Sequence, residues 1–278
     1  MSCEMRVLIT GHRGYIGSHL MKHIVGHELL GIDLETDVTN IANLDRVFES
    51  FKPDVVIHTA GLKSVQESFI TPGLYEYVNV DGTKNITDMM KKYDSKLIIF
   101  SSSATVYENG TQEESPLKSI NPYGETKIQA ENVIKDSGVK YCILRYFNPV
   151  GSNEDINSLN LYPTCIRSCF KNEVLNIYGN CIRDYFYVVD LARFHNVLLG
   201  HEFDSNLVMN FGTGIGMSTQ DFIELFESTN DVILHKNFHP KRQGDKEISV
   251  ANVERLKTMF PEFDFTDKNQ WLKIVVNL

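Results

Sequence analysis

The stretch LITGHRGYIGSHL (residues 8–20) decides how this chain is read. An aliphatic run, RVLIT (6–10), leads into Gly11, Gly14 and Gly17 at G-x-x-G-x-x-G spacing, and a helical pattern opens directly behind them. Glycines let the backbone turn tightly and approach a pyrophosphate, whose charge then rests on the N–H groups at the helix start. Strand, turn and helix in that order predict a dinucleotide site. No Lys-Ser/Thr pair follows the glycines, so an ATP-binding phosphate loop is disfavoured.

The same rhythm continues downstream. LLGIDL (29–34), DVVIHTAG (54–61), KLIIFSSSA (96–104) and YCILRYFN (141–148) are short apolar strands. Helical patterns over about 15–25, 41–51 and 73–93, and one opened by NPYGETK (121–127), separate them. Such alternation describes an α/β fold: a doubly wound parallel sheet of Rossmann type, covered on both faces. After Gly151 the rhythm loosens, with helices near 161–171 and 218–228 among segments rich in Asn, Gly and Pro. The expected division is a dinucleotide-binding domain over 1–150 and a smaller substrate-binding α/β region over 151–278, with a soft boundary and a chain that crosses back. Asp33 ends the second strand, where a carboxylate accepts hydrogen bonds from ribose hydroxyls and repels a 2′-phosphate, so NAD is favoured over NADP. Asp37 and Val38 follow closely enough to edge the adenine.

With 278 residues the chain can bury a large core, and 42% hydrophobic and 23% charged residues are ordinary for a globular protein. A formal net charge of -9 argues against nucleic-acid binding. Five cysteines without C-x-x-C spacing (Cys3, Cys142, Cys165, Cys169, Cys181) read as reduced thiols, neither bridged nor metal-bound. No apolar run approaches the ~18 residues of a membrane helix. The opening MSCEMRVLIT enters a strand at once, predicting no signal peptide and a cytoplasmic chain.

Within NPYGETK, Asn121 is a good N-cap and Pro122 suits the first helical position, which places Tyr123 and Lys127 one turn apart on one face. A free phenol has a pKa of about 10 and is a poor base at neutral pH. Lys127, the helix N-terminus and the ring charge of an oxidised nicotinamide would each lower it, and a fall of ~3 units takes about 4 kcal/mol. The serine-rich strand end IIFSSSATVY (98–107) supplies hydroxyls able to donate to a substrate oxygen and hold it against the phenol.

These strings resemble the extended short-chain dehydrogenase/reductase family, and within it the UDP-glucose 4-epimerases. GYIGSH (14–19), HTAGLKSVQES (58–68), NVDGT (79–83), FSSSATVY (100–107), PYGETK (122–127), LRYFNPVG (144–151), IRDYFYVVDLA (182–192), NFGTGIGMS (210–218) and KRQGD (241–245) run in family order. The resemblance implies that Tyr123 is the acid/base on the sugar 4-hydroxyl, that Lys127 lowers its pKa and holds the nicotinamide ribose, and that Ser103 bonds the 4-oxygen with Thr105 beside it. It further implies that Gly11, Gly14, Tyr15, Ile16, Gly17, Asp33, Asp37, Val38, Ala60, Lys63, Asn79 and Phe147 contact NAD. Asn148, Arg183, Arg242 and Asp245 would grip the nucleotide-sugar, the two arginines meeting its diphosphate.

The implied reaction is NAD-dependent epimerisation at C4 of a UDP-hexose through a transient 4-keto sugar. Ser249, four residues past Asp245, is small where relatives carry either a bulky tyrosine or a small residue, which implies room for a 2-N-acetyl group. A homodimer is implied through a four-helix bundle built from helices near 74–93 and 122–137. Two departures stand out: only LET (34–36) separates Asp33 from Asp37, and YGNCIRDY (178–185) lacks a longer loop before Arg-Asp-Tyr. That compactness keeps a nucleotide-4-keto-6-deoxysugar reductase open as the alternative. A 4,6-dehydratase is disfavoured because Ala104-Thr105 stand where an added acid/base pair would be. A non-catalytic NAD-binding sensor would have no use for an activated phenol.

Overall fold

The structure is a computed structural model and describes residues 4–108, 110–152 and 154–274. Its first elements are β1 (Arg6–Thr10), α1 (Tyr15–His23), β2 (Glu28–Ile32), α2 (Ile41–Phe51), β3 (Val55–His58), α3 (Val65–Ile70) and α4 (Pro72–Glu76). Next come α5 (Gly82–Lys92), β4 (Leu97–Ser103), α6 (Pro122–Asp136), β5 (Tyr141–Tyr146), β6 (Asn148–Val150), α7 (Leu161–Lys171), β7 (Leu175–Tyr178) and β8 (Ile182–Tyr187). The remainder are α8 (Val188–Leu199), β9 (Leu207–Phe211), β10 (Gly216–Ser218), α9 (Thr219–Asn230), β11 (Lys236–His239), β12 (Ile248–Ser249), α10 (Glu254–Met259) and α11 (Lys268–Ile274).

These elements form two compact units. The first holds the described residues up to Tyr146 together with Ala192–Asn210. Its six-stranded sheet has the order β2-β1-β3-β4-β5-β9, and β1 to β5 pair in parallel. Strands buried on both faces cannot alternate polar and apolar residues, and every residue of VVIH in β3 is buried, as are LIIFSS in β4. Leu8, Leu44, Phe48, Val56, Ile86, Met90, Ile98, Phe100, Ile134 and Ile143 make one core, each side chain contributing about 1.5–3 kcal/mol. Caps set the helix boundaries. Asn40 accepts from Asn43 N–H at the start of α2, and Asn121 accepts from Gly124 N–H at 2.8 Å at the start of α6.

The single helix expected over 73–93 is α4, a π turn over Tyr77–Asp81, and α5 in succession. A π turn inserts one residue into an otherwise continuous apolar stripe, so the 3.6-residue period hides it. The preceding α3, capped by Ser64, was not expected either.

The second unit holds Phe147–Leu191 and the described residues from Phe211 onward. Here β8 pairs with β10, β12 and β6, while β7 pairs with β11. Tyr162, Cys165, Leu175, Ile177, Phe222, Phe226 and Trp271 pack into its core. The expected helices near 161–171 and 218–228 are α7 and α9, the latter opened by a reciprocal Ser218–Asp221 capping box. The short strands carry too few residues for a readable alternation. Asp184 ties them together. Its buried carboxylate accepts from Thr213 N–H (2.9 Å), Thr213 Oγ1 (2.6 Å), Gly214 N–H (2.8 Å) and Ala251 N–H (3.1 Å).

Candidate active site

The glycine turn joins β1 to α1. Gly11 adopts φ +71, and a Cβ on Gly17 would lie 2.1 Å from the Gly11 carbonyl oxygen, so the turn closes only over glycine. Gly14 caps α1 without any side-chain bond, and Tyr15, Ile16 and Gly17 form its first turn. A glycine at the cap position brings no side chain of its own over the helix start, as an anion site requires. At the end of β2, Asp33 accepts from Arg13 N–H and Leu34 N–H, both at 2.9 Å, and so braces the turn. The Arg13 guanidinium pairs with Glu35 at 3.0 Å, which offsets its charge beside this corner. These residues fit a dinucleotide with free ribose hydroxyls.

Other residues expected near the cofactor have varied placements. Ala60 N–H donates to Thr10 Oγ1 at 3.2 Å, and the Lys63 ammonium lies 5.5 Å from the centre of the Tyr15 ring. Asn79, within the π turn, accepts from Leu62 N–H (2.8 Å) and donates to Leu62 O and Thr126 Oγ1 (3.0 Å each). Its amide therefore clamps the loop carrying Lys63 to α6. Asp37 caps Thr39 N–H at 2.8 Å, and the Val38 side chain is packed into the first unit's core.

Tyr123 sits in the first turn of α6 beside the end of β4. Burial pushes its phenol above the ordinary value, and hydrogen bonding from Ser103 pulls it down. Ser103 in turn accepts from Thr105 N–H at 3.2 Å and from Thr105 Oγ1 at 2.9 Å. The Tyr75 ring stands edge-on to Tyr123, with centroids 6.4 Å apart. Lys127 is buried, donates to the Ser101 carbonyl at 2.9 Å and lies 4.9 Å over the Phe100 ring. Burial lowers it to about 8, with Glu131 one turn on pulling it back up. In the chain alone, then, Ser103 and not Lys127 is the side chain that acidifies Tyr123, and at neutral pH the phenol keeps its proton. The strong depression expected from spacing is absent there, because the ammonium is drawn to a backbone carbonyl at the sheet's end.

Behind this corner lies a buried network that the motifs did not reveal. Arg145 donates to both oxygens of Glu131 (2.9 and 2.7 Å), to Tyr107 OH (2.8 Å) and to the Glu113 carbonyl (2.9 Å). Ser102 donates to the same carboxylate at 2.7 Å and Lys135 at 3.1 Å. The signal available in the sequence was Glu131, four residues after Lys127 on one helix face.

The second unit carries the remaining predicted residues. Phe147 is buried, and its N–H donates to Phe211 O at 3.1 Å. Asn148 Nδ2 donates to Asp184 O at 3.3 Å. Arg183 lies on β8, where its strand neighbour on β12 is the buried Ser249. Arg242 stacks on the Tyr178 ring at 4.0 Å, and Asp245 N–H closes a turn on the Arg242 carbonyl. Burial raises Asp245, and Arg183, Arg242 and Lys241 oppose it. Lys246, not anticipated from sequence, is lowered to about 8 by burial and by Arg183. Four cysteines (Cys142, Cys165, Cys169, Cys181) are free, Cys3 lies outside the described residues, and no metal-holding cluster occurs among the described residues. No described helix is long and apolar enough to cross a membrane.

The model of the NAD dependent epimerase/dehydratase family matches residues 7–212. The chain is 33% identical to UDP-glucose 4-epimerase of Bacillus subtilis (strain 168), over 91% of this chain and 90% of that one. It superposes on the solved structure of UDP-glucose 4-epimerase from Bifidobacterium longum in complex with NAD+ and UDP with a TM-score of 0.88, at 29% identity over 96% of each chain. The UDP-N-acetylglucosamine 4-epimerase from Methanobrevibacter ruminantium M1 gives a TM-score of 0.88 at 27% identity, covering 99% of this chain and 97% of that one.

Proposed function

The chain belongs to the NAD dependent epimerase/dehydratase family, and we propose on that footing that it is a UDP-hexose 4-epimerase. The observation that carries the proposal is the meeting of Ser103 and Tyr123 at the end of β4, one helical turn from buried Lys127, in a chain alike to such epimerases over nearly its whole length. NAD, when bound, supplies a hydride acceptor and donor at C4. Tyr123 takes the proton of the sugar 4-hydroxyl and returns it to the 4-oxygen once the other sugar face is presented. Ser103 hydrogen-bonds the phenol that faces that oxygen, and Lys127 places a positive charge beside the ribose.

Asn148, Arg183, Arg242 and Asp245 grip the nucleotide-sugar, with the arginines on its diphosphate. Gly11, Gly14, Tyr15, Ile16, Gly17, Asp33, Asp37, Ala60, Lys63 and Phe147 serve the dinucleotide, while Val38 and Asn79 shape its surroundings. The small, buried Ser249 beside Arg183 supports activity on UDP-N-acetylhexosamines as well as UDP-glucose and UDP-galactose. Exposed Leu74 and Tyr77 support a homodimer built on the 72–92 helical stretch and α6. An odd number of cysteines without C-x-x-C spacing supports a reducing, cytoplasmic setting.

The test is incubation of the purified protein with UDP-glucose or UDP-N-acetylglucosamine, without added cofactor, with detection of the galacto epimer. Failure with both sugars overturns the proposal. Consumption of free NAD(P)H would instead favour a 4-keto-sugar reductase, the reading supported by the single 3-10 turn, Leu34–Thr36, between Asp33 and Asp37.

A further inference from the structure

We propose that Thr105 is a positioning residue that makes Ser103 a one-way hydrogen-bond donor toward Tyr123. The inference rests on the proposed role of Tyr123 as acid/base. Ser103 closes β4 in extended conformation, and the 3-10 turn Ala104–Val106 folds straight back over it. Thr105 thereby aims two donors at one oxygen, its N–H at 3.2 Å and its hydroxyl at 2.9 Å. A serine hydroxyl has two acceptor sites and one proton. With both acceptor sites filled, only the proton is left to give, and the Tyr123 oxygen is there to receive it.

Direction decides the sign of the effect. A hydrogen bond given to the phenol oxygen stabilises its anion, whereas one accepted from the phenol holds the proton in place. Were Thr105 unable to donate its hydroxyl proton, Ser103 would have a free acceptor site and could take the Tyr123 proton as a bond. The Thr105→Ser103→Tyr123 order also polarises each bond in the chain.

Backbone packing keeps the geometry in place. A Cβ added to Gly124 would come within 2.6 Å of the Thr105 carbonyl oxygen and 2.0 Å of Ser119 Oγ, so the first turn of α6 lies directly against the 3-10 turn. Ala104 and Val106 on either side are core residues, while Thr105 is only half-buried. Its hydroxyl is therefore not required by the core. Thr105, expected to lie beside the sugar, acts through Ser103.

The test compares wild type, Thr105→Val and Thr105→Ser holoenzymes. Tyr123 ionisation is followed by ultraviolet difference absorbance, each protein referenced to its own Tyr123→Phe counterpart, together with the pH profile of kcat. In Thr105→Val, Tyr123 ionisation and the acid limb of kcat should both move up by roughly half to one pH unit, the scale of one hydroxyl hydrogen bond. KM should stay within about twofold, since no substrate contact is removed. Thr105→Ser should restore the wild-type values. An unshifted ionisation in Thr105→Val overturns the inference, as does a raised KM with an unchanged pH profile, which would put Thr105 on the sugar instead. If the valine variant fails to fold, Thr105→Ala answers the same question by the same titration. A wild-type protein that yields no galacto product sinks the proposed reaction, while the titration comparison still decides the role of Thr105.

Discussion

Glu131→Gln isolates the buried ion pair behind the active corner. Arg145 and Glu131 are 2% and 0% exposed, and the carboxylate accepts from Arg145 twice, from Ser102 and from Lys135. Removing its charge leaves the buried guanidinium with neutral acceptors in place of the carboxylate: one amide oxygen, Tyr107 OH and the Glu113 carbonyl. Breaking one partner of such a pair costs about 3–5 kcal/mol, a large part of the 5–15 kcal/mol typical of a folded domain. For a chain of this size the melting midpoint should fall by roughly 6–20 °C. A second readout is chemical. Glu131 holds Lys127 up against its burial, so in Glu131→Gln the ammonium loses its proton below about 8 and the alkaline limb of activity moves to lower pH. Acid stability follows the same pair. Arg145 and Ser102 hold Glu131 below its ordinary pKa despite burial, so on acidification the unfolded state takes up the proton first. The pair's contribution is complete above an unfolded pKa of about 4.3 and is lost as pH falls through the lower folded value. Calorimetry and pH–rate profiles check both arms. A midpoint within about 2 °C of wild type would refute the reasoning, because a drop that small corresponds to less than about 1 kcal/mol.

Tyr123→Phe should cut kcat by roughly 10²–10⁴-fold with the fold intact, as steady-state kinetics and circular dichroism would show; undiminished turnover removes Tyr123 from the chemistry. Gly17→Ala drives a methyl into the Gly11 carbonyl and should abolish co-purification of NAD, read by mass spectrometry of released small molecules. Asp184→Ala leaves Thr213, Gly214 and Ala251 N–H groups without their acceptor and should lower stability by at least about 3 kcal/mol in urea titration.

What local sequence could determine here was whatever depends on near neighbours. The glycine spacing, the apolar strand runs, the Asn121–Pro122 helix start and the one-turn separation of Tyr123 and Lys127 are all properties of a few consecutive residues, and each is found in the fold. Several features needed the whole chain. The expected crossing back could not be assigned to a segment from sequence; residues 192–210 join the first unit, and Val38 fills a core against α5 that its own neighbours do not reveal. Lys127 meets the Ser101 carbonyl 26 positions earlier, a partner that one-turn spacing does not show. Burial, which no local pattern encodes, reversed the expected shift of Tyr123 in the chain alone and left the acidifying role to Ser103. Hydrogen-bond direction and desolvation belong to surroundings assembled from distant strands and helices, and those exist only once the sheet has closed over its core.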